Sequence, residues 1–303
     1  MPGRDGCRRP SRAAGLTRRA GDPSSGGQKQ AIEGDPVRQI DTDTLADLEA
    51  VAHAVADAAR PATLRHFRSD ALDVSNKRVG GFDPVTEGDR AAETAMRAVL
   101  GEWRPQDAIL GEEFGHSDGQ SGLCWVLDPI DGTRAYLCGA PTWGVLVAVG
   151  GDEGPVLGLI DQPFTKERFF GGPGGAFWDG PLGRRRLRTR PPRGLDEAIV
   201  LSTFPEIGTE EEHAAFTAVS RAAKLTRYGL DCYGYALLAA GQVDLVIEAG
   251  LQSYDIHGPM AVIEAAGGVV TTWDGGPARH GGRIVAAANL EIHAAACARL
   301  AGG

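Results

Sequence analysis

The 303-residue sequence predicts a layered α/β fold, with sheets covered by helices. Two observations carry this reading. In mid-chain the β-like runs TWGVLVAVGG, PVLGLIDQP, ERFFGG and GGAFWD follow one another across Gly/Pro turns, as in an antiparallel meander. From AIVLSTFP onward, strand-like and helix-like segments alternate.

The elements can be taken in order. Leu45, Leu48, Val51 and Val55 stand at helical spacing, with Thr44 and Asp47 as the expected cap and Pro61 expected to kink or end the helix. ALDVSNK reads as a short strand, VGGFDP as a loop and TEGDRAAETAMRAVLGEW as a second helix. AILGEEFG is a strand ending in two glutamates. WVL (Trp125–Leu127) is the end of a buried strand, which Pro129 is expected to stop. After the meander, RRRLRTRPPR reads as a solvated basic surface. The helices EEEHAAFTAVSRAAK, DCYGYALLAAG, DIHGPMAVIEAAGG and LEIHAAACARL then alternate with the strands QVDLVIEAG, VVTTW and RIVAAAN. No internal repeat is visible.

The bulk numbers exclude several classes. A chain that is 42% hydrophobic and 23% charged can bury a sizeable core. Its net charge of −9 argues against general nucleic-acid binding, and no apolar run is long enough to span a membrane. The five cysteines (Cys7, Cys124, Cys138, Cys232, Cys297) form no C-x-x-C pair, which fits neither a zinc site nor a disulfide framework and suits a reducing cytoplasm. Residues 1–38 are rich in Arg, Gly, Ser and Pro without apolar periodicity, so they read as a disordered basic tail ahead of a folded domain over 39–303. The tail lacks the apolar segment of a secretory signal. Its Arg/Ser bias loosely resembles a transit peptide, and it has no aromatic residues with which to stack bases.

The chemistry concentrates in WVLDPIDGTRAY, residues 125–136. Asp128 and Asp131 sit on a tight turn where their carboxylates can converge, and converging carboxylates repel unless a cation lies between them. Hard oxygen ligands suit Mg²⁺, with room left for phosphate and water. Gly132 permits close backbone approach, and Thr133 adds a hydroxyl and an N–H. Taken alone, the stretch is read equally well as an Asp-Pro, Asp-Gly double turn capping a strand. The wider pattern separates the two readings. Asp83 in FDPVT, Glu112 and Glu113 in GEE, and Asp255 at the start of YDIHGPMAVIEAAGG all lie where predicted elements end. Singly these are a turn starter, a solvated strand end and an N-cap. Together, acids on four separated segments fit a multi-metal phosphate site.

In this order, DPVTEGDRAAE, GEE, WVLDPIDGT and YDIHGPMAVIEAAGG resemble the inositol monophosphatase family of Mg²⁺-dependent phosphatases, over about residues 40–300. The resemblance implies an αβαβα layered sandwich, a homodimer and hydrolysis of a small phosphate monoester. It implies that Glu112, Asp128, Asp131 and Asp255, with the Ile130 carbonyl, hold Mg²⁺. Asp83 and Thr133 would orient the attacking water, and the N–H groups of Gly132 and Thr133 would receive the phosphate. A haloacid-dehalogenase-type turn does not fit, because Ile130 stands where its first Asp is needed and Glu112 and Asp83 go unexplained.

TRYGLDCYGYALLAAG resembles the histidinol-phosphate phosphatase branch of that family through Arg227, Tyr228, Gly229, Asp231, Cys232 and Tyr233. Asp231 and Glu248 suit a leaving group that carries an ammonium and an imidazole, and Arg227 suits the phosphate or those carboxylates. Arg134 also fits this branch. The bland alternatives are a helix cap for Asp231 and a structural ion pair for Arg227. L-histidinol phosphate is therefore the expected substrate. Inositol 1-phosphate or a related sugar or nucleotide phosphate is the alternative, and a non-catalytic binding protein of the same fold the third reading. His257 stands where small residues are usual, and is expected either at the surface or intruding on the pocket.

Overall fold

The structure is a computed structural model that describes residues 40–69, 74–76 and 84–302. The expectations for residues 1–38 and for Asp83 lie outside those residues. The first helix, α1 (Thr42–His66), begins on Asp41, whose carboxylate accepts from the Thr44 amide at 2.8 Å; the expected Thr44/Asp47 cap is thus displaced by one turn. Pro61 lies inside α1 and does not end it. Proline removes one backbone bond, but tertiary packing carries the helix past it. Ala59 and Thr63 are fully buried, and the Arg60 guanidinium donates to Asp161 through two nitrogens, at 2.8 and 2.5 Å. The short strands β1 (Val74–Asn76) and β2 (Pro84–Thr86) pair with each other, and α2 (Glu87–Trp103) follows as the pattern predicts.

The main sheet contains β3 (Ala108–Gly111), β4 (Gly115–Ser117), β5 (Cys124–Asp131), β6 (Gly144–Gly151), β7 (Gly154–Gln162), β8 (Glu167–Gly172), β9 (Gly175–Gly180) and β10 (Gly183–Arg186), in the order β10-β9-β8-β7-β6-β5-β3-β4. The predicted meander is its antiparallel half, β6 to β10. A second sheet of order β12-β11-β13-β15-β14 comprises β11 (Ile199–Ser202), β12 (Leu225–Tyr228), β13 (Leu245–Leu251), β14 (Val269–Thr272) and β15 (Gly282–Ala287). Its helices are α4 (Glu210–Ala222), α5 (Asp231–Ala239), α6 (Ser253–Ala265) and α7 (Leu290–Leu300); a one-turn helix, α3 (Thr133–Leu137), follows β5.

Strand alternation sorts the side chains into three cores. Val145, Val147 and Val149 face α1 and α2, together with Trp125 and Leu127. Leu146 points the other way, into a core shared by α5, α6 and the inner residues Val246, Ile284 and Ala286 of the second sheet. Leu245, Ile247, Val285 and Ala287 face outward onto α4 and α7. The layers are therefore α, β, α, β, α, as the resemblance implied.

Two details of the strand and loop readings change. Strand β5 does not stop at Pro129. Asp128 pairs with Leu146 and Asp131 with Gly144, so three steps on β5 oppose two on β6. The extra residue makes a bulge, where proline's missing N–H costs no ladder bond. The basic segment is solvated at Arg184–Arg186, Arg188, Pro191 and Pro192 but not throughout. Leu187 is buried, and Arg190 and Arg193 pair with buried Asp244 at 2.9 and 3.1 Å.

Helix α6 lies so close to the main sheet that side chains are excluded. A Cβ on Gly171 would stand 2.4 Å from Val262 Cα and 2.5 Å from the Ala261 carbonyl oxygen. Gly171→Ala should therefore destabilise the fold by about 1–3 kcal/mol, because backbone must move. Gly101, in α2, has nothing within 4 Å of its would-be Cβ. Gly101→Ala should stabilise by roughly 0.5–1 kcal/mol. Denaturant unfolding of both variants checks the pair, and a Gly171→Ala protein as stable as the parent would refute the close-contact account.

Candidate active site

The bulge decides where the acids go. Asp128 lies on the face of β5 opposite Trp125 and Leu127 and is 1% exposed. Its Oδ1 accepts from the Ile130 amide at 3.0 Å, which ties the bulge to the side chain it displays. Asp131 ends the strand. Its Oδ2 accepts from the Cys232 amide at 2.7 Å, so it meets the first turn of α5, where amides lack helical partners. Asp255 sits in the first turn of α6. It is not the N-cap: Gln252 is, and Asp255 Oδ2 accepts from the Gln252 amide at 2.6 Å. Two chain segments, β5 and the first turn of α6, thus bring carboxylate oxygens of Asp128, Asp131 and Asp255 within 4.8 Å of one another.

Glu112 follows β3, its amide donating to the Leu127 carbonyl at 3.2 Å. Burial, and then the charge of Glu112 before those of Asp131 and Asp255, pushes the Asp128 carboxyl well above the ordinary range. Burial and Asp255 do the same to Asp131. An all-oxygen donor set in which charge repels charge fits a hard divalent cation. Asp128, Asp131, Asp255 and Glu112 are the residues that would hold it.

Gly132 turns the chain from β5 into α3 with φ 84° and ψ 41°. That left-handed conformation suits glycine, and a Cβ there would stand 2.8 Å from Asp231 Cβ. Thr133 opens α3, and its hydroxyl donates to the Ile130 carbonyl oxygen at 3.2 Å. Asp231 begins α5 with φ 47°, a left-handed value that aspartate tolerates better than most residues. Leu230, not Asp231, occupies the N-cap position. The Asp231 carboxylate accepts from Thr142 Oγ1 at 3.2 Å.

Asp131, Gly132, Thr133, Asp231 and Asp255 line a cavity of about 260 Å³ together with Arg134 and Glu248; Glu112, Asp128 and Ile130 lie outside its lining. Glu248, on β13, is 6% exposed, and its Oε1 accepts from both the amide and the hydroxyl of Thr203, at 2.7 and 2.9 Å. Burial pushes its carboxyl up to about 8, although the Thr203 bonds pull the other way.

Two candidates fall elsewhere. Arg227 is exposed on the edge strand β12 and does not line the cavity. Its register with Leu201, and through it with Val246, puts it on the same inner face as Glu248, but on the edge strand, outside the cavity. His257 does not intrude either: it lines a separate cavity, and its Nε2 bonds the Arg279 carbonyl at 2.7 Å.

Sequence reading passed over Thr203, Phe204, Tyr235 and Glu93. The first three line the cavity, and the Tyr235 hydroxyl is buried with no hydrogen-bond partner among the described residues. Glu93 is fully buried in α2, where it accepts from the amides of Glu113 and Phe114 at 2.6 and 3.2 Å and from Arg97 Nε at 2.7 Å. It therefore fixes the turn that carries Glu112. The only trace in the sequence is an acid seven residues into a helix, which ordinarily marks a solvated face.

Two predictions follow from this geometry. Glu93→Ala should weaken divalent-cation affinity roughly 10- to 100-fold, as loss of a group supporting a ligand does. Calorimetric titration with Mn²⁺ reads this directly, and unchanged affinity would remove Glu93 from the site. Glu248, with its folded value raised from 4.5 to about 8, holds its proton more tightly folded than unfolded. Its contribution to stability is complete below about pH 4.5 and is lost as pH rises toward about 8. In chelator, the stability of the parent relative to Glu248→Gln should fall across that window and then level off. A difference independent of pH would contradict the buried, proton-holding carboxyl.

The arrangement has counterparts. The sequence profile of the inositol monophosphatase family matches residues 44–302. The bifunctional phosphatase IMPL2 (chloroplastic) of Arabidopsis thaliana is 38% identical over 260 residues, covering 83% of this chain and 72% of the relative. The histidinol-phosphatase of Streptomyces coelicolor is 36% identical over 262 residues, covering 83% and 95%. The solved structure of an inositol monophosphatase from Zymomonas mobilis, 35% identical, superposes with a TM-score of 0.75 over 84% of this chain and 98% of that one. With its layered sheets and its cluster of acids at the ends of β3, β5 and the start of α6, the chain belongs to the inositol monophosphatase family and is a phosphatase of that family.

Proposed function

We propose that the protein is a Mg²⁺-dependent phosphomonoesterase that converts L-histidinol phosphate and water to L-histidinol and phosphate. The observation that carries the reading is one cavity with two groups of acids. Asp131 and Asp255 stand at one side, and Asp231 and Glu248 line the same space without belonging to the three-carboxylate cluster. The first group accounts for a cation and a phosphate. The second would be costly in a pocket for a neutral alcohol, since buried carboxylates need charge-assisted partners. An ammonium and an imidazolium supply them. The histidinol-phosphatase relative supports the same choice.

The residues divide the work as follows. Bound Mg²⁺ would neutralise phosphate oxygens and lower the pKa of water. The turn at Gly132–Thr133 receives the phosphate, and Arg134 at the cavity edge adds positive charge for it. The Thr133 hydroxyl, which donates to the Ile130 carbonyl oxygen, would together with Asp83 orient a water for in-line attack. The bond from phosphorus to the ester oxygen breaks as the water oxygen bonds to phosphorus, and the proton passes to the departing alkoxide. Asp231 and Glu248 hold the leaving group by its charges, which orients the ester oxygen away from the incoming water.

Inositol 1-phosphate is the second reading, favoured by the likeness to the Zymomonas mobilis inositol monophosphatase. Phosphate release from the two esters at saturating Mg²⁺ separates them. Histidinol phosphate should show the much higher kcat/KM, Asp128→Asn should abolish turnover of both, and Asp231→Asn should erode the preference. Equal rates on the two esters would move the protein to the second reading. Full activity of Asp128→Asn would remove the metal assignment.

A further inference from the structure

Phe204 is an unusual lining residue. It is 40% exposed, it stands two residues after the end of β11, and it shares the cavity with Asp231 and Glu248. A single exposed phenylalanine ordinarily needs no explanation. This one is fixed in place on both sides. Its carbonyl oxygen lies 3.4 Å from the Ser202 hydroxyl, and the neighbouring Thr203 carbonyl accepts from the Gly229 amide at 3.0 Å. Thr203 also supplies both hydrogen bonds that hold Glu248. One two-residue segment therefore sets an acid and an aromatic ring against the same space.

The ring already meets a planar cation. The Arg134 guanidinium carbon stands 4.7 Å from the Phe204 centroid. A ring face that accepts a guanidinium accepts an imidazolium for the same reason, the negative potential of the π-face. Phenylalanine offers nothing to hydroxyl groups, so it gives a polyol no comparable gain. An aromatic wall next to two acids suits a leaving group that is flat as well as cationic.

We propose that Phe204 is a specificity-determining residue, the wall against which the ring of a planar, cationic leaving group lies. This inference rests on the substrate reading given above and adds the ring to what Asp231 and Glu248 recognise. Arg134 shares the wall, so the ring holds both the residue that edges the phosphate site and the group that departs from it.

The test compares L-histidinol phosphate with L-alaninol phosphate, which keeps the amine and the phosphate and lacks the ring. Phosphate release is measured with the full chain in Mg²⁺ for the parent, Phe204→Ala, Phe204→Leu and Phe204→Trp. The readout is the ratio of the two kcat/KM values within each protein, which cancels any general loss of activity. Phe204→Ala and Phe204→Leu should lower the ratio roughly 3- to 30-fold, mainly through KM for histidinol phosphate, and Phe204→Trp should preserve it. A ratio unchanged in Phe204→Ala, or retained by Phe204→Leu, overturns the aromatic wall while leaving the substrate reading standing. A parent enzyme that prefers inositol 1-phosphate to histidinol phosphate overturns the substrate reading itself, and the wall with it.

Discussion

Carboxylate oxygens of Asp128, Asp131 and Asp255 lie within 4.8 Å of one another, and Glu112 presses on the first of them. Like charges at that separation do not collect unaided. A flexible chain would let them part, so the fold has to hold each one from behind. The bulge in β5 fixes Asp128 and Asp131, and the Ile130 amide bonded to Asp128 locks it. The first turns of α5 and α6 supply amides to Asp131 and Asp255, stabilising negative charge where helix donors are otherwise unpaired. Buried Glu93 grips the turn after β3 that presents Glu112. The acids are thus each fixed by backbone, which turns repulsion into a site ready for a cation instead of a force that opens it.

The same constraint explains the middle layer. Helix α6 must deliver Asp255 to the end of β5 from the opposite side, so it has to lie flat against the main sheet. Gly158, Gly171 and Gly258 remove the side chains that would hold it off; a Cβ on Gly258 would stand 2.9 Å from the Leu159 carbonyl. Packing this close leaves little freedom for the helix to shift. The position of Asp255 is therefore decided in part by glycines on α6 and on the sheet beneath it, and the stability of the sandwich and the geometry of the candidate site are one problem.

Around this rigid centre the cavity wall is assembled from parts distant in the chain. Thr203 and Phe204 leave β11, Asp231 starts α5 and Glu248 ends the regular part of β13. On the proposed function, leaving-group chemistry could be altered there without disturbing the carboxylate cluster, since Thr203 touches Glu248 and Phe204 touches Arg134. Members of one family can share phosphate chemistry and differ in the alcohol they release by such changes.

By itself the sequence determined the layers, almost every element and the acids that the fold brings together. Apolar periodicity and Gly/Pro punctuation are local signals, and WVLDPIDGT carries its ligands and its turn in one continuous stretch. The tertiary structure alone decided whatever depends on partners far along the chain. Pro61 reads as a breaker, yet α1 continues because Arg60 reaches Asp161, 101 residues away. Pro129 reads as a strand end, yet β5 continues because β6 accommodates a bulge. Arg227 lies in the same motif as Asp231 but on an edge strand outside the cavity, while Thr203 and Phe204, in no motif at all, line it. Chain-local forces fix what each segment becomes. Which side chains share a cavity is fixed by how strands pair and which face each residue takes, and neither is written in spacing along the chain.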